Sequence, residues 1–225
     1  MTAQKKRNLS VLFGGRSGEH DVSLMSARSV LAALDETKYE ITQVGITHEG
    51  AWLTGEHVLD AMIAGKTDQL YPVTILPDPT RPGLYRLDKT AQHEALELVT
   101  ALDIVFPVLH GTFGEDGTLQ GLLEMAGVAY VGAGVVGAAV GMDKGVFKDV
   151  MRSHDIPVVE AVIALRSELE TDRQAVLDRA EALADYPLFV KPANMGSSVG
   201  VSKCKSRSDL FEGLMEAARF DRRLL

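Results

Sequence analysis

The chain has 225 residues, 46% hydrophobic and 24% charged, with a formal net charge of −8. That length accommodates one large or two ordinary domains, and the acidic balance excludes the basic field that drives nucleic-acid binding. A single cysteine, Cys204, excludes an intramolecular disulfide and fits a reducing compartment.

The apolar run after Lys5-Lys6-Arg7 extends only from Leu9 to Phe13. It is too short for a secretory signal or a membrane span, so the expectation is a soluble, cytoplasmic protein with no membrane partner. The same run is predicted as a buried strand. Gly14-Gly15-Arg16-Ser17-Gly18-Glu19-His20 forms the next turn, and Asp21 to Leu34 a helix with Val22, Met25, Val30 and Leu34 on one face. A strand, a glycine turn and a helix N-terminus favour an anion, by about 0.3–1 kcal/mol from the dipole. Glu19 would repel a phosphate there, so the turn suits a ligand with a cationic amine. The competing reading is that Glu19 only complements the helix dipole.

Glu40 to Ile46 is a second strand. Val73–Leu76 and Leu84–Leu87, parted by Pro77, Pro79, Pro82 and Gly83, predict an excursion with edge pairing. Trp52, His48 and His57 read as surface or packing residues. The apolar run from Asp103 ends on His110-Gly111, and the loop to Gly117 leads into a helix over Thr118–Ala126. Ligands of open α/β sheets collect beyond the carboxyl ends of strands. Glu19 and His110 both stand at such ends, so convergence on one crevice is expected; a histidine that merely holds its loop is the alternative.

Val128–Val131 is a further short strand, followed by Gly132-Ala-Gly134-Val-Val-Gly137. This is formally a dinucleotide fingerprint, but the next predicted strand, Val158–Ala164, ends without an acidic residue for a ribose. A nicotinamide-dependent oxidoreductase therefore competes with an incomplete motif. Asp143 is a candidate N-cap for a helix to about His154. Lys144 opposes the dipole in its first turn, which suggests a cation for a phosphate or a solvated side chain. Thr171-x-x-Gln174 matches a capping box opening a helix through Ala184.

Pro187–Val190 then delivers Lys191, Pro192 stops the ladder, and Asn194–Gly200 forms a small-residue loop before a return strand over Val199–Cys204. Ser197, Ser198, two glycines and the backbone N–H groups beside one ammonium suit a phosphate chain. An ordinary Gly/Ser hairpin with a surface lysine is the alternative. Cys204 reads as inert packing. Ser206 or Ser208 caps a last helix through Ala218, and Leu224-Leu225 begins a strand. The domain boundary is expected near Gly132–Gly141.

In this order the motifs resemble the D-alanine–D-alanine ligases of the ATP-grasp superfamily. They are Gly14-Gly15-Arg16-Ser17-Gly18-Glu19-His20-Asp21-Val22-Ser23, Leu109-His110-Gly111 with Gly114-Glu115-Asp116-Gly117-Thr118-Leu119-Gln120-Gly121, Met142-Asp143-Lys144, and Val190-Lys191-Pro192 with Gly196-Ser197-Ser198-Val199-Gly200. The resemblance is weakest over 51–101. It implies an α/β protein: a Rossmann-like (pre-ATP-grasp) parallel-sheet domain over 1–132 and an α+β ATP-grasp central subdomain over 133–225. The implied reaction uses ATP to phosphorylate the carboxylate of one D-alanine, whose acyl carbon is then attacked by the amine of a second, for peptidoglycan synthesis. By resemblance Glu19 meets the first ammonium, with Val22 and His110 beside that substrate. Lys144, Lys191, Ser197 and Ser198 bind ATP, and Ser197 also positions Glu19. The family's third lobe, with Mg²⁺ ligands and a transition-state arginine, is expected beyond Leu225, so these residues are expected not to turn over alone. A homodimer is implied as well. A D-alanine–D-lactate ligase and a non-catalytic nucleotide-binding module remain alternatives, and Met195 has no assigned role.

Overall fold

A computed structural model describes residues 5–89 and 94–225. Its contacts divide the chain into two compact units, Met1–Val136 and Gly137–Leu225. Among the described residues no helix is long and apolar enough to cross a membrane.

The first unit runs β1 (Arg7–Gly14), α1 (His20–Ala33), β2 (Tyr39–Ile46), β3 (Trp52–Thr54), α2 (Val58–Ala64), β4 (Tyr71–Ile75), β5 (Gly83–Lys89), β6 (Glu94–Ala101), β7 (Ile104–Pro107), α3 (Thr118–Met125) and β8 (Ala129–Tyr130). The strands form one sheet in the order β6-β5-β4-β3-β2-β1-β7-β8. β2, β1, β7 and β8 are mutually parallel, whereas each step from β2 out to β6 is antiparallel. The expected parallel sheet is therefore corrected to a mixed one. Short connections such as the turn between β2 and β3 return the chain directly, which only an antiparallel partner permits.

β1 is central and buried on both faces, as a strand covered by helices must be. Leu12 packs with Val44, Val105, Leu119 and Leu123. Leu9, Val11 and Phe13 point the other way, toward Leu24 and Ala27 of α1 and Val58 and Met62 of α2. The buried stripe of α1 is His20, Ser23, Leu24 and Ala27. Val30 and Leu34 join that core, but Val22 and Met25 are exposed. The expected apolar face is thus wrong for those two, because the stripe that faces the sheet includes polar Ser23 and His20.

α4 (Val135–Met142) carries the chain across the division. The second unit continues with α5 (Lys144–Ser153), β9 (Ala164–Leu165), α6 (Arg166–Thr171), α7 (Arg173–Glu181), β10 (Leu188–Val190), β11 (Ser202–Cys204), α8 (Arg207–Ala217) and β12 (Arg223–Leu224). β10 and β11 form an antiparallel hairpin, and β12 pairs antiparallel with β9. Leu188, Val190, Cys204, Leu210, Leu214 and Leu224 share one core. Cys204 is fully buried, and burial raises its thiol pKa, as inert packing requires.

Four local expectations are corrected here. The strand predicted over Val158–Ala164 shrinks to β9, since two-residue β12 offers a ladder only to Ala164 and Leu165. Carbonyls upstream are taken by side chains instead: Lys148 donates to Val159 and Arg179 to Ile163. Thr171 ends α6, its hydroxyl bonding back to Ser167, while Asp172 caps α7 through Ala175 N–H. The return strand begins at Ser202, because Ser197, Ser198 and Gly200 all have positive φ, which no strand tolerates. Finally, the glycine motif after β8 follows an edge strand, and the next strand, β9, pairs antiparallel with β12 in a different sheet. No βαβ unit exists there to hold a dinucleotide.

Candidate functional site

In the first unit, the ends of neighbouring parallel strands β1 and β7 bring two turns together. Ser17 donates from its hydroxyl to the His110 carbonyl at 2.7 Å and accepts from Glu19 N–H at 3.1 Å. A Cβ built on Gly111 would lie 2.6 Å from Glu19 Oε2, so the carboxylate rests against that glycine. Gly111 also has φ +73°, a conformation that glycine adopts at little cost. Glu19 and His110, singled out separately in the sequence, are thus neighbours, and exposed Val22 follows on the first turn of α1.

Three serines to which the sequence reading gave no role hold this arrangement. Besides Ser17, buried Ser23 accepts from Gly14 N–H at 2.8 Å and donates to the Val108 carbonyl, tying α1 to the ends of both strands. Ser26 Oγ lies 2.9 Å from His110 Nε2 and fixes the ring. The acidic residues of the following loop bond its own segments. Glu115 accepts from Gly111 N–H at 2.8 Å, and Asp116 accepts from Phe113 N–H and from Thr118. Gln120 donates to the Gly114 carbonyl at 2.8 Å. The residues of that motif are therefore a scaffold for His110-Gly111. Beside it a cavity of about 260 Å³ is lined by Arg16, Trp52, Leu109, His110 and Phe113.

In the second unit, Asp143 caps α5 by accepting from Gly145 and Val146 N–H, both at 3.0 Å, and pairs with Arg223 at 2.5 Å. This sets Lys144 against the Lys191 loop: its ammonium donates to the carbonyls of Met195 at 2.6 Å and Ala193 at 3.2 Å. Met195 thereby gains a role, as an acceptor for Lys144. The Lys191 main chain exchanges N–H···O bonds with Leu225, both 2.9 Å. Ser197 and Ser198 are exposed, each in the left-handed region at φ 47° and 62°, a strained conformation of the kind that clusters at functional loops.

Lys191 also lines a cavity of about 460 Å³ with Lys148, Glu160, Val162, Leu188, Leu210 and other mostly apolar residues. Its size and lining fit a small-molecule site. Lys148 was not singled out in the sequence, although it lies one helical turn after Lys144. Burial, then the charges of Lys191 and Arg152, lower its pKa. The unit thus gathers three lysines, a backbone-rich loop and an apolar chamber.

The two units define an α/β protein with a carboxylate, Glu19, at strand ends and a lysine-bearing loop at Lys191. Residues 8–133 match the family model described as D-ala D-ala ligase N-terminus, and residues 150–225 that described as D-ala D-ala ligase C-terminus. The chain belongs to the D-alanine–D-alanine ligase family. It is 46% identical over 222 residues to the D-alanine--D-alanine ligase of Natranaerobius thermophilus, covering 98% of this chain and 59% of that one. The Heliobacterium modesticaldum D-alanine--D-alanine ligase is 44% identical at the same coverage of both chains. Among solved structures, VanG D-Ala:D-Ser ligase from Enterococcus faecalis matches with TM-score 0.82 and 32% identity over 98% of this chain and 62% of that one. The D-alanine-D-alanine ligase from Coxiella burnetii matches with TM-score 0.78 and 36% identity, at 97% and 62%. The chain therefore spans about three-fifths of the length of these relatives.

Proposed function

We propose that this chain supplies the first-substrate and triphosphate contacts of a cytoplasmic, ATP-dependent ligase that joins two D-alanines for peptidoglycan synthesis. The first unit is read as the Rossmann-like substrate lobe and the second as the ATP-grasp central lobe. The observation that carries the reading is the convergence of Glu19 and His110 at the ends of β1 and β7. A carboxylate and an imidazole carried by adjoining turns match an amino acid's ammonium and carboxylate.

In this reading Glu19 holds the first ammonium, and His110 and Val22 lie beside the same substrate. The substrate's carboxylate oxygen attacks the γ-phosphorus of ATP, and ADP leaves. The second D-alanine's amine then attacks the acyl carbon, expelling phosphate and losing a proton. Lys144 and Lys191 neutralise the phosphate charge, and Ser197 and Ser198 donate to its oxygens. The apolar cavity beside Lys191 takes the base. Catalysis is positioning and charge stabilisation, with no covalent nucleophile. The family resemblance also calls for Mg²⁺. Among the described residues of the second unit no three acidic or imidazole groups converge, so no ion contact is assigned to this chain and no step is derived through it.

The reaction is proposed for the whole enzyme, as a homodimer, and ligand binding for these 225 residues. Calorimetric titration tests the second part. Glu19→Gln should abolish D-alanine binding and spare ATP, while Lys191→Ala should do the reverse. Undiminished D-alanine binding by Glu19→Gln would overturn the assignment.

A further inference from the structure

We propose that His20, Asp21 and His48 form a binding site for a divalent first-row transition ion, separate from the ligand contacts of Glu19 and His110. One ligand atom from each of the three lies within 4.8 Å of the others. His20 is 5% exposed and stands at the start of α1. Its Nδ1 lies 2.9 Å from the Gly15 carbonyl. A carbonyl only accepts, so in the neutral ring the proton resides on Nδ1 and Nε2 keeps its lone pair. A backbone carbonyl holding the far nitrogen is the usual outer contact of a metal-bound histidine.

The remaining donors come from two different elements. Asp21 follows in the first turn of α1, and His48 belongs to the turn after β2. The His48 ring stacks on His20, with centroids 3.8 Å apart and planes 24° from parallel. Among the described residues neither Asp21 nor His48 makes a side-chain hydrogen bond or ion pair, and both are exposed. Ligand atoms at about 2.0–2.2 Å from a tetrahedral ion stand roughly 3.3 Å apart. Two exposed side chains need only turn inward to meet that spacing, while the buried His20 stays fixed.

The donor set selects the ion. Two neutral imidazoles and one carboxylate suit Zn²⁺, Co²⁺ or Ni²⁺, whereas Mg²⁺ and Ca²⁺ prefer all-oxygen shells. A bound ion would join α1 to the β2–β3 turn, beside the residues that carry Glu19.

The test titrates the 225-residue chain with Zn²⁺ by calorimetry and with Co²⁺ by visible absorption. One equivalent should bind, with Co²⁺ bands of imidazole ligation and a rise in Tm. His48→Ala and Asp21→Asn each leave buried His20 in place. Each should weaken Zn²⁺ by no less than the roughly 10–100-fold typical of losing an outer-shell partner. His57→Ala and His154→Ala, which alter exposed histidines elsewhere, should bind as the parent does. Absence of a one-equivalent Zn²⁺ site, or unchanged affinity in His48→Ala, would overturn the proposal and leave the pair as a ring stack beside a solvated carboxylate. Neither result bears on Glu19, whose D-alanine titration is read without metal.

Discussion

Ser26 and His110 are 84 residues apart in sequence, yet Ser26 Oγ stands 2.9 Å from His110 Nε2. The contact ties α1 to the loop after β7 and sets the direction of the imidazole. A neutral hydrogen bond of this kind contributes about 0.5–1.5 kcal/mol. Ser26→Ala should therefore weaken D-alanine binding by roughly three- to tenfold with little change in Tm. Calorimetry and thermal melting check both halves. Unchanged affinity would show that His110 keeps its place without the serine.

Gly111→Ala should be more damaging to binding than to folding. The left-handed backbone costs an alanine about 1–2 kcal/mol, and its Cβ would lie 2.6 Å from Glu19 Oε2. The carboxylate is the flexible partner and must swing away. D-alanine affinity is expected to fall more than tenfold, while denaturant melts show a folded protein with a modestly lower midpoint.

Asp143 is at once a cap and an ion-pair partner, and the two roles are separable. Its side chain is 12% exposed and that of Arg223 26%, so breaking the pair leaves a poorly solvated guanidinium. Asp143→Ala should cost about 3 kcal/mol, since removing one member of a buried pair typically costs 3–5 and a cap about 1, with partial exposure lowering the total. Asp143→Asn keeps a cap and should cost less. Arg223→Met added to Asp143→Asn should restore part of the loss, as measured by urea denaturation.

Tyr186 gives a pH signature at the alkaline end. Burial, then donation of its hydroxyl to Glu181 at 2.6 Å, pushes its pKa to about 12 from an ordinary 10.0. The folded state thus holds the proton where the unfolded chain has released it. The contribution is full below pH 10 and is lost as pH rises toward 12. Tyr186→Phe should flatten the fall in stability over that window. Absorbance of tyrosinate should show a late-titrating phase in the parent that is absent from the variant.

Much of this was legible in the sequence. The apolar runs pointed to β1, β2 and β7, Asp143 announced the start of α5, and Ser206 or Ser208 that of α8; Asp143 accepts from Val146 N–H and, of the two serines, Ser206 caps by accepting from Asp209 N–H. Glu19 and His110 could be placed at strand ends because each follows an apolar run. The buried face of α1 was not legible, since His20 and Ser23 lie on it and polar residues hide a core stripe from hydropathy. The antiparallel half of the sheet depends on register between separate segments, which local pattern does not encode. Ser17, Ser23 and Ser26 act through contacts to residues 84 to 93 positions away. Lys148 looked like any helical lysine until the chamber around it was seen.

The ammonium of Lys144 already holds the carbonyls of Ala193 and Met195. On the proposed reading, an incoming phosphate competes with those neutral acceptors for the protons of Lys144, so that ligand arrival and loop position become one equilibrium. Lys144 then works as a latch on the Ala193–Gly200 backbone. The amides of that segment should change their exchange with solvent when a triphosphate displaces the carbonyls, even if no helix or strand moves.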